Sequence, residues 1–180
     1  MSTPLKTEPN CVLHRAADRG HANHGWLDAR HSFSFANWHD PKRMHFGALR
    51  VLNDDVVAGG GGFGMHPHDN MEIVTIPLAG ALAHRDSMGN ASVIRTGDVQ
   101  AMTAGTGILH SEFNHSDRDP VKLFQVWVFP NQKGLSPRYD QHHYDVSAVH
   151  GAFVGLVTPA GSSGVQIHQT AGCYLGEFRE

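Results

Sequence analysis

Apolar positions along this chain come in short runs interrupted by Gly, Asn, Asp and Pro, and no long stretch repeats at the helical period. The runs are rich in β-branched and aromatic residues, which predicts strands at 45–52, 72–78, 82–85, 92–94, 99–103 and 123–129. Asn53-Asp54-Asp55 and Asp86-Ser87-Met88-Gly89-Asn90 carry turn chemistry, with Gly and Asn available for positive φ. Antiparallel strands at this spacing predict an all-β barrel or jelly roll. Pro77, inside one of the runs, predicts a sheet edge or a bulge at that point.

Segment 130–139, with Gly134 and Pro137, reads as a linker leaving the barrel. Beyond it, strand-like runs at 153–157, 165–168 and 173–178 flank a polar Gly/Ser stretch at 159–164. They are too few for a second barrel and need a surface to pack on, either the first barrel or a neighbouring subunit.

Composition narrows the class. A chain of 180 residues suffices for one well-buried domain. The net charge is -3, and no run of Lys or Arg interleaves with aromatics, which argues against a nucleic-acid groove. Cys11 and Cys173 stand at opposite ends without metal-type spacing, so a disulfide framework is not expected and a reducing cytoplasm is. Segment 1–10 is polar with two prolines and has no apolar core, so neither secretion nor membrane insertion is expected.

Candidate chemistry enters through two clusters, His66-Pro67-His68 and His110-Ser111-Glu112, each in a glycine-rich stretch. Residues two apart on a strand share a face, and imidazoles with a carboxylate are ligands for Fe(II), Mn, Ni, Cu or Zn. Two such strands facing each other would close one site. Among 15 histidines a His-x-His pair arises by chance, and the local alternative is a polar turn with solvated histidines. The surrounding order argues for a site: Gly60 precedes His66, Glu72 follows His68, and Gly107 and Asn114 bracket His110. Glu72 remains a second candidate for the carboxylate, because a continuous strand would give it the parity of His66 and His68. His21, His24, His31, His39 and His45 are spaced irregularly and read as surface or structural, with His31 or His45 as candidates for the pocket wall. His142 and His143 are expected to be exposed. Phe46, Phe63, Met65, Met102 and Phe113 flank the ligand strands and read first as core, with an apolar cleft for a flat aromatic as the alternative.

Stretches 60–80 and 97–114 resemble the two conserved strings of cupins, with Gly80 one residue late and Gly105-Thr106-Gly107 in place of the usual proline. The longer motifs Arg19-Gly20-His21-Ala22-Asn23-His24-Gly25-Trp26-Leu27, His31-Ser32-Phe33-Ser34-Phe35-Ala36, His84-Arg85-Asp86-Ser87-Met88-Gly89-Asn90 and Thr103-Ala104-Gly105-Thr106-Gly107-Ile108-Leu109-His110-Ser111-Glu112 resemble the pirin family, and within it the bacterial pirin-like quercetin 2,3-dioxygenases. The resemblance runs from about residue 15 to about residue 178.

It implies a bicupin plan, with an N-terminal cupin barrel at 1–135 and a linker plus partial second-barrel strands at 136–180. It also implies one divalent transition metal, Fe(II) first and otherwise Mn, Co, Ni, Cu or Zn, on His66, His68, His110 and Glu112. Glu112 is favoured over Glu72 because the pirin pattern uses it; Glu72 would then hydrogen-bond a ligating imidazole. The implied activity is O2-dependent cleavage of a flavonol-type ring with release of CO, Glu112 serving as the base for the substrate hydroxyl. The alternatives are a non-catalytic metal-containing regulatory or interaction protein and, less favoured, a Lewis-acid isomerase or hydrolase. Expected partners are a small aromatic substrate, O2 and a second copy joined through the C-terminal strands.

Overall fold

The β-branched runs pair into two antiparallel sheets in the computed structural model, which describes residues 12–158 and 164–178. Cys11, segment 1–10 and residues 159–163 of the Gly/Ser stretch lie outside the described residues. The larger sheet has the order β1 (Gly20–Asn23), β2 (Leu27–His31), β3 (Leu49–Val57), β10 (Val121–Val128), β5 (Glu72–Ala79), β8 (Asp98–Thr103) and β11 (Arg138–His143). The smaller has the order β4 (Gly62–His68), β9 (Ile108–Asn114), β6 (Ala81–Asp86) and β7 (Ala91–Arg95).

Alternation of side chains decides what each face buries. Leu27, Ala29, Val57, Val121 and Leu123 of the larger sheet meet Leu82 and Ile94 of the smaller. At the other end of the interlayer space Ile73 and Met102 meet Ile108. The sheets therefore enclose a common core as an all-β, cupin-type jelly roll. On β5, Ile73 and Thr75 point into this space, whereas Val74 and Ile76 point outward. The outward pair, with Val99 and Ala101, is covered by Tyr144, Val149, Leu156, Val157 and Val165 of the tail. The tail thus packs on the barrel's own sheet, adding a two-stranded layer of β12 (Val154–Val157) and β13 (Cys173–Leu175).

Several local expectations change. Asn53-Asp54-Asp55 is not a turn: it forms the middle of β3, opposite Gln125, Phe124 and Leu123. Its polar character comes from what those residues face, as described below. The strands β1 and β2 were hidden by polar residues that alternate with Leu27, Ala29 and His31. Two residues of the segment read as a linker, Arg138 and Tyr139, already belong to β11, an edge strand that pairs with β8 across the 135/136 division. Pro77 lies in β5 beyond the Glu72–Thr75 stretch that pairs with β8, and the register against β10 shifts beside it, so the proline meets both an unpaired side and a bulge.

Candidate metal centre

β4 and β9 lie side by side, with His66 opposite His110 and Phe63 opposite Glu112. Between these pairs β4 holds one residue more than β9, a bulge that breaks the alternation of side chains. Phe63, His66 and His68 consequently all line the interlayer cavity, while Met65 turns out to solvent. Gly62 permits the close approach, since a Cβ there would collide with Phe113 and the backbone of Glu112. On β9 the two-residue period buries His110, Glu112 and Asn114 and exposes Leu109 and Phe113.

The ring of His110 lies 4.3 Å from that of His66 and 4.9 Å from that of His68, centroid to centroid. One nitrogen from each of these three residues falls within 4.8 Å of the others. Glu112 groups in the same way with His110 and with His84, a residue that sequence reasoning did not single out as a ligand. Both ring nitrogens of His84 are engaged: Nε2 donates to Asp86 Oδ2 at 3.2 Å, and Nδ1 faces the Gln100 amide at 3.3 Å. His110 is the opposite case. Its Nδ1 and Nε2 are both buried without a hydrogen-bond partner among the described residues. His66 Nδ1 donates to the Gly64 carbonyl at 2.7 Å, which leaves the Nε2 lone pair free.

Protonation favours the same use. Burial, then neighbouring His66, lowers His68 to about 4, and burial with the surrounding histidines lowers His110 to about 3. Both imidazoles are neutral at pH 7 and present lone pairs. Burial raises the Glu112 carboxyl above its ordinary range. Its oxygens accept hydrogen bonds from Thr75 Oγ1 at 3.3 Å and from Gln125 Nε2 at 3.1 Å and 3.3 Å. An orphaned imidazole, two further histidines and a held carboxyl fit a divalent transition metal.

A model of the pirin family matches residues 13–128. The quercetin 2,3-dioxygenase of Escherichia coli is 49% identical over 162 residues, 90% of this chain and 69% of that protein. The chain belongs to the pirin family. Among solved structures, YhhW from Escherichia coli superposes with a TM-score of 0.84 at 47% identity, over 89% of this chain and 68% of the other. The structure of bacterial pirin YhhW in complex with nickel(II) gives a TM-score of 0.83 at 46% identity, with the same coverage.

In this pirin Glu72 stands apart from the histidine cluster. β4 ends at His68, and the chain turns through Asn70, with φ 44°, before β5 begins, so parity does not carry across. Glu72 instead accepts from Thr103 Oγ1 at 2.9 Å and meets His168 Nδ1 at 3.3 Å, on the sheet face that the tail covers. The cavity beside the histidines measures about 260 Å³. Phe35, Phe63, Leu82, Leu123 and Trp127 give it apolar walls, and Asn53, Asp55, Gln125 and Glu112 supply its polar groups. The Trp127 ring lies 4.8 Å from that of His68.

Of the flanking apolar residues, Phe63 lines the cavity, Met102 is core, and Phe46, Met65 and Phe113 are exposed. His31 is buried behind Phe35 and His45 lies near Phe129; neither lines the wall. His142 and His143 are exposed. Asn53, Asp55 and Gln125 were missed as site residues. Gln125, a polar residue flanked on both sides by apolar ones in β10, carried a usable signal; Asn53 and Asp55 were masked by turn-like composition.

Proposed function

We propose that the protein is a metal-dependent dioxygenase that opens a flavonol-type ring with O2 and releases CO. His66, His68, His110 and Glu112 would hold the ion. The observation that carries this reading is the cluster of three imidazoles, that of His110 without a hydrogen-bond partner among the described residues, and a buried carboxyl at one side of an apolar cavity. The Escherichia coli relative named quercetin 2,3-dioxygenase supports the choice of reaction. In the balanced reaction both atoms of O2 enter the depside product, and one ring carbon leaves as CO with its own hydroxyl oxygen.

A bound divalent ion would supply Lewis acidity that favours the deprotonated flavonol hydroxyl. Glu112 takes the hydroxyl proton at a carboxylate oxygen, and its raised proton affinity suits it to that task. Gln125 and Thr75 hold that carboxyl in place. Phe35, Phe63 and Trp127 bind the aromatic faces of the substrate and exclude water.

The test is anaerobic reconstitution with Fe(II), Mn, Co, Ni, Cu or Zn in turn, followed by quercetin and O2 with the flavonol absorbance recorded. Bleaching with stoichiometric release of CO that depends on one metal and disappears in His66→Ala supports the assignment. Stoichiometric metal uptake with no bleaching for any metal would sink it in favour of a regulatory role. The same reading includes a homodimer through the tail, where Phe153, Tyr174 and Phe178 are exposed on and beside β12 and β13. Light scattering of wild type and of Phe153→Ser/Phe178→Ser checks this, a monomeric wild type being the contrary result.

A further inference from the structure

Asp55 lines the cavity wall and is 5% exposed, yet its carboxyl makes no hydrogen bond to any described residue. A buried carboxyl without a donor is costly, and such a group in a native fold calls for a partner that arrives from outside the chain. The cavity does not provide one. Asp55 stands opposite Leu123 on β10, and Leu82 and Phe63 also line the cavity. The nearest charge of consequence is that of Glu112, which has the same sign. Asp54, the next residue, faces the other side of the sheet and meets Arg19 there at 3.8 Å. Glu112 is already supplied with donors by Thr75 and Gln125, so Asp55 is the carboxyl left to receive one.

The register gives the distance. Trp127, which packs on His68, stands opposite Val51, and Gln125, which holds Glu112, stands opposite Asn53, so along β3 Asp55 lies four residues beyond the His68 end and two beyond the level of Glu112. Four strand residues span roughly 13 Å. A ligand that reaches from the histidines to Asp55 is therefore elongated, and the aromatic and aliphatic walls make it flat. A neutral donor suits this end better than an ammonium, whose transfer into apolar surroundings costs more.

We infer that Asp55 is the specificity-determining acceptor for a phenolic hydroxyl at the substrate end remote from the metal-binding histidines, so that the site selects elongated polyphenols over otherwise similar aromatics. The inference rests on the cavity being the flavonol site proposed above.

The experiment measures equilibrium binding of quercetin and of 3-hydroxyflavone, which keeps the ring system but lacks the remote hydroxyls. It uses nickel(II)-loaded protein without O2, with quenching of tryptophan fluorescence as readout. At pH 8, where the Asp55 carboxyl is ionised, wild type is expected to prefer quercetin by about 10- to 100-fold, the range that a hydrogen bond to a charged acceptor supplies. Asp55→Leu should erase that preference while binding 3-hydroxyflavone as well as wild type does, and Asp55→Asn, which keeps an acceptor, should retain part of it. An undiminished preference in Asp55→Leu, an equal loss for both ligands, or no binding of either by wild type would overturn the inference. A parallel assay of flavonol loss under O2 separates the two readings. Turnover with unaltered selectivity leaves the dioxygenase and removes the role of Asp55, whereas Asp55-dependent selectivity without turnover does the reverse.

Discussion

Buried near Glu112 with no hydrogen-bond partner among the described residues, Asp55 holds its proton up to about 7, against an ordinary value of 3.8. The folded, metal-free protein therefore binds a proton over an interval in which the unfolded chain does not. Stability from this group is complete below about pH 4 and is lost as pH rises toward 7, by up to roughly 4 kcal/mol. Asp55→Asn lacks this loss, so the metal-free variant should match wild type near pH 4 and exceed it at pH 8 in denaturant unfolding; parallel curves would contradict the burial argument. His68 and His110 act in the opposite sense, because their lowered proton affinities withdraw stability as pH falls from 6.5. Glu112→Gln keeps the shape of the side chain and its place between Thr75 and Gln125 but removes the proton acceptor. Metal content should stay above half of wild type while turnover falls about 100-fold or more; unchanged turnover would remove Glu112 from the proton transfer.

Among the strands, β4 and β9 each carry two of the four expected ligands, and Asn114 anchors the end of β9. The Asn114 amide donates to the carbonyls of Val57, Ala58 and Asp119 at 2.8–3.1 Å, and its oxygen accepts from Ser116 N at 2.9 Å. Asn114→Ala leaves these groups unpaired and is expected to cost about 2–4 kcal/mol, read as a shift in the urea midpoint; a loss below 0.5 kcal/mol would show that water replaces the clamp. The strands β5, β8 and β10 were legible because both of their faces are largely covered, so they read as apolar runs broken only by isolated polar residues such as Thr75, Gln100 and Gln125. The two clusters that the fold brings together were legible because His66, His68, His110 and Glu112 keep a two-residue spacing. β3 was only partly legible: Asn53 and Asp55 are polar because they face a cavity, and local composition does not distinguish that from a turn. The bulge between Phe63 and His66 was equally invisible, since it exists only in the pairing of β4 with β9. Glu72 misled for the converse reason, its apparent parity assuming a strand that the turn at Asn70 interrupts.

At the scale of the whole molecule, the larger sheet is covered on its inner face by the smaller sheet, which carries the histidine cluster, and on its outer face by the tail. Leu156 is fully buried in the outer layer against the sheet. Leu156→Ala should cost about 2–5 kcal/mol while leaving the metal content of the folded protein unchanged; lost metal binding at temperatures where the fold persists would show that the two layers are coupled. The described residues contain no helix long and apolar enough to cross a membrane. The central claim is that the cavity and its four expected ligands perform oxygenolytic ring opening, and the most direct measurement is the ratio of CO released to flavonol consumed by the metal-loaded protein under O2. One CO per flavonol, abolished in His110→Ala, is the predicted result. Flavonol loss without CO would contradict the claim, because simple oxidation bleaches a flavonol without expelling a ring carbon.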